Sequence, residues 1–260
     1  MDLRLGGRTA LITGGSKGIG LATAKWFAAE GVAVCLVARS SEDLERAAGS
    51  IRRLSSVSVE TMSADLSDSR AREQVAARFP EVDILVNNAG MVPSGAIDAV
   101  DDATWRAAWD LKMFGYVNLT RAYFARMKAR GRGVIINIIG VGGERLDFNY
   151  IAGSTGNAGL MAFTRAMGAR STDFGVRVLG VNPGPVATER LEWLSRQRAA
   201  AELGDPERWA ERFTHLPWGR PASPDEIAAS VVFLASDLSS YTSGTILTID
   251  GGLVHRGGLL

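Results

Sequence analysis

The sequence is short of several things, and each shortage narrows what the chain can be. Cys35 is the only cysteine among 260 residues, so no internal disulfide can form. That usage fits a reducing, cytoplasmic setting. Its neighbours Val34 and Leu36 mark it as a thiol inside a strand. No stretch approaches the roughly 18 apolar residues that a membrane span requires, so no membrane span is expected. The opening Met-Asp-Leu-Arg-Leu carries no apolar signal region, which again points to the cytoplasm. A net charge of +1 gives no general pull toward nucleic acid or acidic lipid. No metal site is expected.

The chain instead carries 46% hydrophobic and 22% charged residues, the balance of an ordinary globular protein. Its length suits one large α/β domain over 1–260. Short apolar runs at 9–13, 32–38, 57–62, 82–87, 134–139, 176–181 and 245–249 read as strands. Most are continuous rather than alternating, as in strands buried on both faces. Helical stretches at 18–30, 41–54, 67–79, 104–130, 154–173 and 224–236 alternate with them. Ser40 or Ser41, Ser67, and Ser223 before Pro224 are candidate caps. The order predicts a single-domain, Rossmann-type, doubly wound parallel sheet of seven strands with helices on both faces. One long irregular segment, 184–221, is expected to be a substrate lid.

The turn after the first strand carries Gly14, Ser16, Lys17, Gly18, Ile19 and Gly20. Glycines between a strand and a helix let the backbone approach a pyrophosphate, which rests on the free amides of the helix N-terminus. A dinucleotide is therefore the expected cofactor. An acidic residue at the end of the second strand would bind the adenine ribose and repel a 2′-phosphate. The chain has Ala38, Arg39 and Ser40 there instead, with Lys17 in the glycine turn. Two cations and no carboxylate favour NADP over NAD.

These residues, together with Ala64-Asp65-Leu66, Asn87-Asn88-Ala89-Gly90, Asn182-Pro183-Gly184 with Thr188, Pro217 to Pro221, and the ending Ile249-Asp-Gly-Gly252, resemble the classical short-chain dehydrogenase/reductase family. The resemblance covers nearly the whole chain. It implies that Asp65 and Leu66 lie near the adenine, that Asn88, Ala89 and Gly90 line the cofactor, and that Pro183, Gly184, Val186 and Thr188 lie near the nicotinamide. It also implies a small-molecule substrate and a homodimer or homotetramer built through the long helices at 104–130 and 154–173, with the C-terminal Leu259-Leu260 as a buried tail.

The family moves its protons with a Tyr, a Lys four residues later, a Ser thirteen residues before the Tyr, and an Asn on the preceding long helix. Two elements of this chain fix the register. The Phe163-Thr-Arg165 element follows the Tyr position by ten residues, and the Asn137-Ile-Ile-Gly140 element ends on the Ser position. The Tyr position is then Gly153, the Ser position Gly140, the Lys position Asn157 and the Asn position Lys112. Lys112 and Asn157 read as a reciprocal exchange of ammonium and amide. Lys112 is equally compatible with an outward-facing side chain, because spacing does not orient it. Tyr150, three residues before the empty position, could swing into the space at Gly153 or pack on the lid. The candidate catalytic residues are Lys112, Tyr150 and Asn157.

In the lid, Arg190, Arg196, Arg198, Arg208 and Arg212 alternate with five glutamates. They suit either an anionic substrate or ordinary pairing along a helix. His215 also falls in the lid. Three functions stay open: an NADP(H) oxidoreductase with a rebuilt proton relay, a lyase or isomerase on the same fold, and an NADP-binding subunit or sensor without catalysis.

Overall fold

The computed structural model describes residues 2–257, without the side chains of Ala201 and Arg212. The expectation for Leu259-Leu260 lies outside the described residues. Seven parallel strands form one sheet in the order β3-β2-β1-β4-β5-β6-β7. They are β1 (Thr9–Thr13), β2 (Ala33–Ala38), β3 (Val59–Ser63), β4 (Ile84–Asn87), β5 (Gly133–Ile138), β6 (Val176–Pro183) and β7 (Ile246–Ile249). Alternate residues of each strand feed opposite faces, and both faces are covered, which is why the runs are continuously apolar. Ile12, Leu36, Val86, Ile136 and Leu179 pack on one side with Phe27, Leu44 and Val231 of the flanking helices. Leu11, Cys35, Leu85, Ile135 and Val178 pack on the other with Val75, Leu119 and Tyr123. Burial pushes the Cys35 thiol up to about 12, which makes it inert.

The helices are α1 (Gly18–Ala29), α2 (Ser41–Arg52), α3 (Ser69–Arg78), α4 (Asp102–Trp109), α5 (Gly115–Arg130), α6 (Ile151–Ser171), α7 (Glu189–Leu203) and α8 (Pro224–Ala235). Among the described residues no helix is long and apolar enough to cross a membrane. Ser40 caps α2 by accepting from the Asp43 amide, and Ser223 forms a reciprocal capping box with Glu226. Ser67 is not the cap of α3. Asp68 takes that place and accepts from the amides of Arg70 and Ala71, since a carboxylate one residue nearer the helix reaches two free donors.

Two local departures matter for the site. The helix expected over 104–130 is interrupted by a π-helical turn at Asp110–Phe114, which contains Lys112. Such a turn inserts an extra residue and re-aims the side chains around it. In the segment 184–221, α7 is capped by Thr188, whose hydroxyl accepts from the Leu191 amide at 3.2 Å. The segment Pro206–Phe213 winds as a 3₁₀ helix against it.

Candidate active site

The C-terminal ends of β1, β4, β5 and β6 open into a cleft of about 1190 Å³, at the point where the strand order reverses from β1 to β4. Its cofactor side is built by the glycine turn. Gly14 and Gly18 both have left-handed φ, +64° and +52°, which glycine adopts without a steric penalty. A side chain at Gly20 would overlap the Gly14 carbonyl and come within 2.6 Å of Asn88 Nδ2. Asn88 fixes the turn: its side-chain amide donates to Thr13 O at 2.9 Å and to Gly14 O at 3.2 Å. Thr13 Oγ1 accepts from the amides of Asn88 and Ala89 at 2.9 and 3.0 Å. Lys17 at the N-cap of α1 supplies no capping side chain, so the first-turn amides stay free to meet an anion.

Lys17, Gly14, Gly18, Ile19, Asn88, Ala89, Gly90, Pro183, Gly184, Val186 and Thr188 line the cleft. Ser16, Gly20, Arg39, Ser40, Asp65 and Leu66 do not line it. Gly20 and Leu66 are buried, and Arg39, Ser40 and Asp65 are exposed beyond β2 and β3. The Ser67 amide and hydroxyl both donate to Asp65 and hold its carboxyl below the ordinary range. Lys17 is not a free cation. Its ammonium lies 3.4 Å from Asp43 and 3.3 Å from Glu189, which raises its pKa.

The far side of the cleft holds the candidate chemistry. Lys112 points into the cleft, and its Nζ donates to Ile139 O at 2.6 Å. Its aliphatic stem lies on Gly90, where a Cβ would approach Lys112 Cδ to 3.0 Å. Burial, helped by the Arg190 guanidinium, lowers the ammonium pKa from 10.5 to about 8. Asn157 is 3% exposed; its Nδ2 donates to Gly140 O at 3.3 Å, and its Oδ1 has no partner among the described residues. Lys112 and Asn157 therefore sit on successive carbonyls of one segment, and no hydrogen bond joins them directly. Gly140 adopts φ +122°, a glycine conformation, and a Cβ there would approach Asn157 Nδ2 to 3.3 Å.

The Tyr150 ring packs into the space at Gly153. A Cβ there would overlap Cε1 and Cζ and lie 2.6 Å from the Tyr150 hydroxyl. Burial raises the phenol pKa, and Arg190 only partly offsets this. Beneath these residues, Asn87 Nδ2 donates to Thr120 Oγ1 at 3.1 Å and to Asn137 Oδ1 at 2.9 Å, and Asn137 Nδ2 donates to Thr164 Oγ1 at 2.9 Å. This buried network ties β4 and β5 to α5 and α6 and holds the floor rigid.

Arg190 has a part that spacing did not suggest. It donates to Gly90 O at 3.2 Å and to Val92 O at 3.0 Å, latching α7 to the loop after β4. Arg196 pairs with Glu192 and Glu207, and Arg208 with Glu211. The Arg212 side chain lies outside the described residues. Arg198 reaches Ser94 Oγ at 3.5 Å and lines the cleft with Arg145. His215 is exposed and away from the lining.

The comparisons with known proteins agree with this architecture. The family model for short chain dehydrogenase matches residues 8–199. The chain belongs to the short-chain dehydrogenase family. A galactitol 2-dehydrogenase (L-tagatose-forming) of Cereibacter sphaeroides is 36% identical to it over 254 residues, covering 96% of each chain. A 3-oxoacyl-[acyl-carrier-protein] reductase of Thermotoga maritima is 31% identical, covering 97% of this chain and all of the relative. The L-sorbose reductase of Gluconobacter frateurii, solved with NADPH and L-sorbose, superposes with a TM-score of 0.91 at 32% identity, over 99% of this chain and 100% of that one. The protein is thus a short-chain dehydrogenase-type oxidoreductase. The glycine turn, free helix amides and open cleft fit a nicotinamide dinucleotide.

Proposed function

We propose that this protein uses NADP(H) to interconvert a carbonyl and a hydroxyl group on a small anionic molecule, with Lys112 exchanging the proton. The position of Lys112 carries the reading. It is the amine on the cleft floor beside Gly140 and Asn157, and burial lowers its pKa to about 8, near neutral pH. A proton-transfer group is most effective under that condition. When bound, the nicotinamide supplies or accepts the hydride. In the reducing direction the Lys112 ammonium gives its proton to the substrate oxygen as negative charge develops there. The Ile139 carbonyl holds the ammonium in place. The buried Asn157 Oδ1 accepts from a hydroxyl of the bound molecules, and Tyr150 shapes the wall.

Arg39 supports NADP over NAD: it stands at the end of β2 with no carboxylate replacing it and no ion pair among the described residues. Lys17 adds less than its charge suggests, because Asp43 and Glu189 share it. For the substrate, the cleft lining has five cations, Lys17, Lys112, Arg145, Arg190 and Arg198, against Asp147 and Glu189. That balance favours an anion.

A second reading, cofactor binding without turnover, is favoured by the Tyr150 ring filling the space at Gly153. One experiment separates the two. NADPH oxidation is followed with a panel of small keto acids from about pH 6 to about pH 10. The oxidoreductase reading expects turnover with an alkaline limb near 8 that Lys112→Met abolishes. Tight NADPH binding without turnover on any member of the panel supports the second reading.

A further inference from the structure

We propose that Lys112 is also a nucleophile, whose neutral amine condenses with an aldehyde held in the cleft to form an imine. This rests on the reading that Lys112 faces the reacting carbonyl. Three observations carry it. Lys112 lines a large cleft, so a carbonyl carbon held there can approach Nζ. Among the described residues its only hydrogen bond is to a backbone carbonyl, with no carboxylate to hold it as a cation. Beside it, Asn157 Oδ1 is a buried acceptor with no donor, and such a group is costly unless a ligand completes it.

The chemistry balances without an external redox partner. The Nζ lone pair attacks the aldehyde carbon, the carbon–oxygen π bond breaks, and a proton passes from nitrogen to oxygen to give a carbinolamine. Its new hydroxyl can donate to Asn157 Oδ1. Loss of that oxygen as water forms the carbon–nitrogen double bond. The step is reversible, and hydrolysis returns the amine and the aldehyde.

The composition makes the reaction selective. The chain has only four lysines, Lys17, Lys25, Lys112 and Lys128. Lys17 is tied to two carboxylates, and Lys128 stacks on the Phe174 ring at 3.9 Å. A pKa lowered from 10.5 to about 8 leaves far more neutral amine on Lys112 near neutral pH. Part of that advantage is returned, because a weaker base is a weaker nucleophile.

The test treats the whole protein with propanal and sodium cyanoborohydride, which reduces the imine to a stable propyl adduct. Peptide mapping by mass spectrometry then locates the adduct. The expected result is a first adduct on Lys112, formed about ten-fold faster than on Lys25 or Lys128, with a rate that rises with pH and levels above about 8. Lys112→Arg should leave only the slow labelling. Equal labelling of all four lysines, or none at Lys112, overturns the proposal. The two roles of Lys112 fail separately. Loss of reduction in Lys112→Met without labelling of the wild type leaves the proton role alone. Labelling at Lys112 with an unchanged pH profile of reduction in Lys112→Met removes the proton role.

Discussion

The Tyr150 ring occupies the place where a side chain at Gly153 would begin. The two residues lie one helical turn apart at the start of α6, so the glycine and the aromatic ring are a matched pair. This pairing makes Gly153 a packing requirement and yields a double-mutant test. Gly153→Ala should cost roughly 1–3 kcal/mol in the wild type, because the added methyl overpacks the ring. In a Tyr150→Ala background the same change should stabilise by up to about 1 kcal/mol, because alanine is the better helix former. Urea denaturation of the four proteins measures the cycle, and the same sign in both backgrounds would refute the pairing.

Lys112 makes stability depend on pH. Its pKa is about 8 in the folded chain, against an ordinary 10.5. Below about 8 the folded state therefore carries an ammonium that burial penalises. Between about 8 and 10.5 the unfolded chain binds more protons, so this penalty is relieved as pH rises. Lys112→Met should accordingly be more stable than the wild type at pH 7, by at most about 3 kcal/mol and less where water in the cleft screens the charge. The gap should close toward pH 10. Denaturant midpoints at the two pH values check it.

Cofactor choice should follow Arg39. Arg39→Asp adds a carboxylate where the 2′-phosphate is expected, so NADPH binding should weaken by about ten-fold or more while NADH binding holds or improves. Fluorescence titration with both cofactors reads this. Parallel weakening of both would detach Arg39 from the phosphate.

The Arg190 latch joins α7 to the loop after β4 through two backbone carbonyls. Arg190→Ala should free α7, raise KM several-fold, and expose the lid to limited proteolysis before the core. It also removes the cation that helps lower the Lys112 pKa, so the alkaline limb of the reaction should move upward. An unchanged proteolysis pattern would count against the latch.

Assembly is the remaining expectation. Phe114, on the π-helical turn between α4 and α5, is 51% exposed, and an apolar side chain on a long helix suits burial by a second copy. Light scattering at micromolar concentration should give a dimer or tetramer, and Phe114→Glu should shift it toward monomer.

The sequence by itself determined the fold and the glycine turn. Strands buried on both faces require continuous apolar runs, and a backbone that must meet a pyrophosphate requires Gly14, Gly18 and Gly20 in one short turn. Both are local codes, readable without neighbours. The fate of individual polar side chains is not a local code. The sequence places Lys17 in the glycine turn without its partners, Asp43 of α2 and Glu189 of α7, and it shows Arg190 only as one of several arginines in 184–221, not its contacts with Gly90 and Val92. The direction of Lys112 depends on a π-helical turn with no sequence signature and on the Ile139 carbonyl 27 residues away. Tertiary structure decided these points, because only packing sets which carbonyl or carboxylate a long flexible side chain can reach.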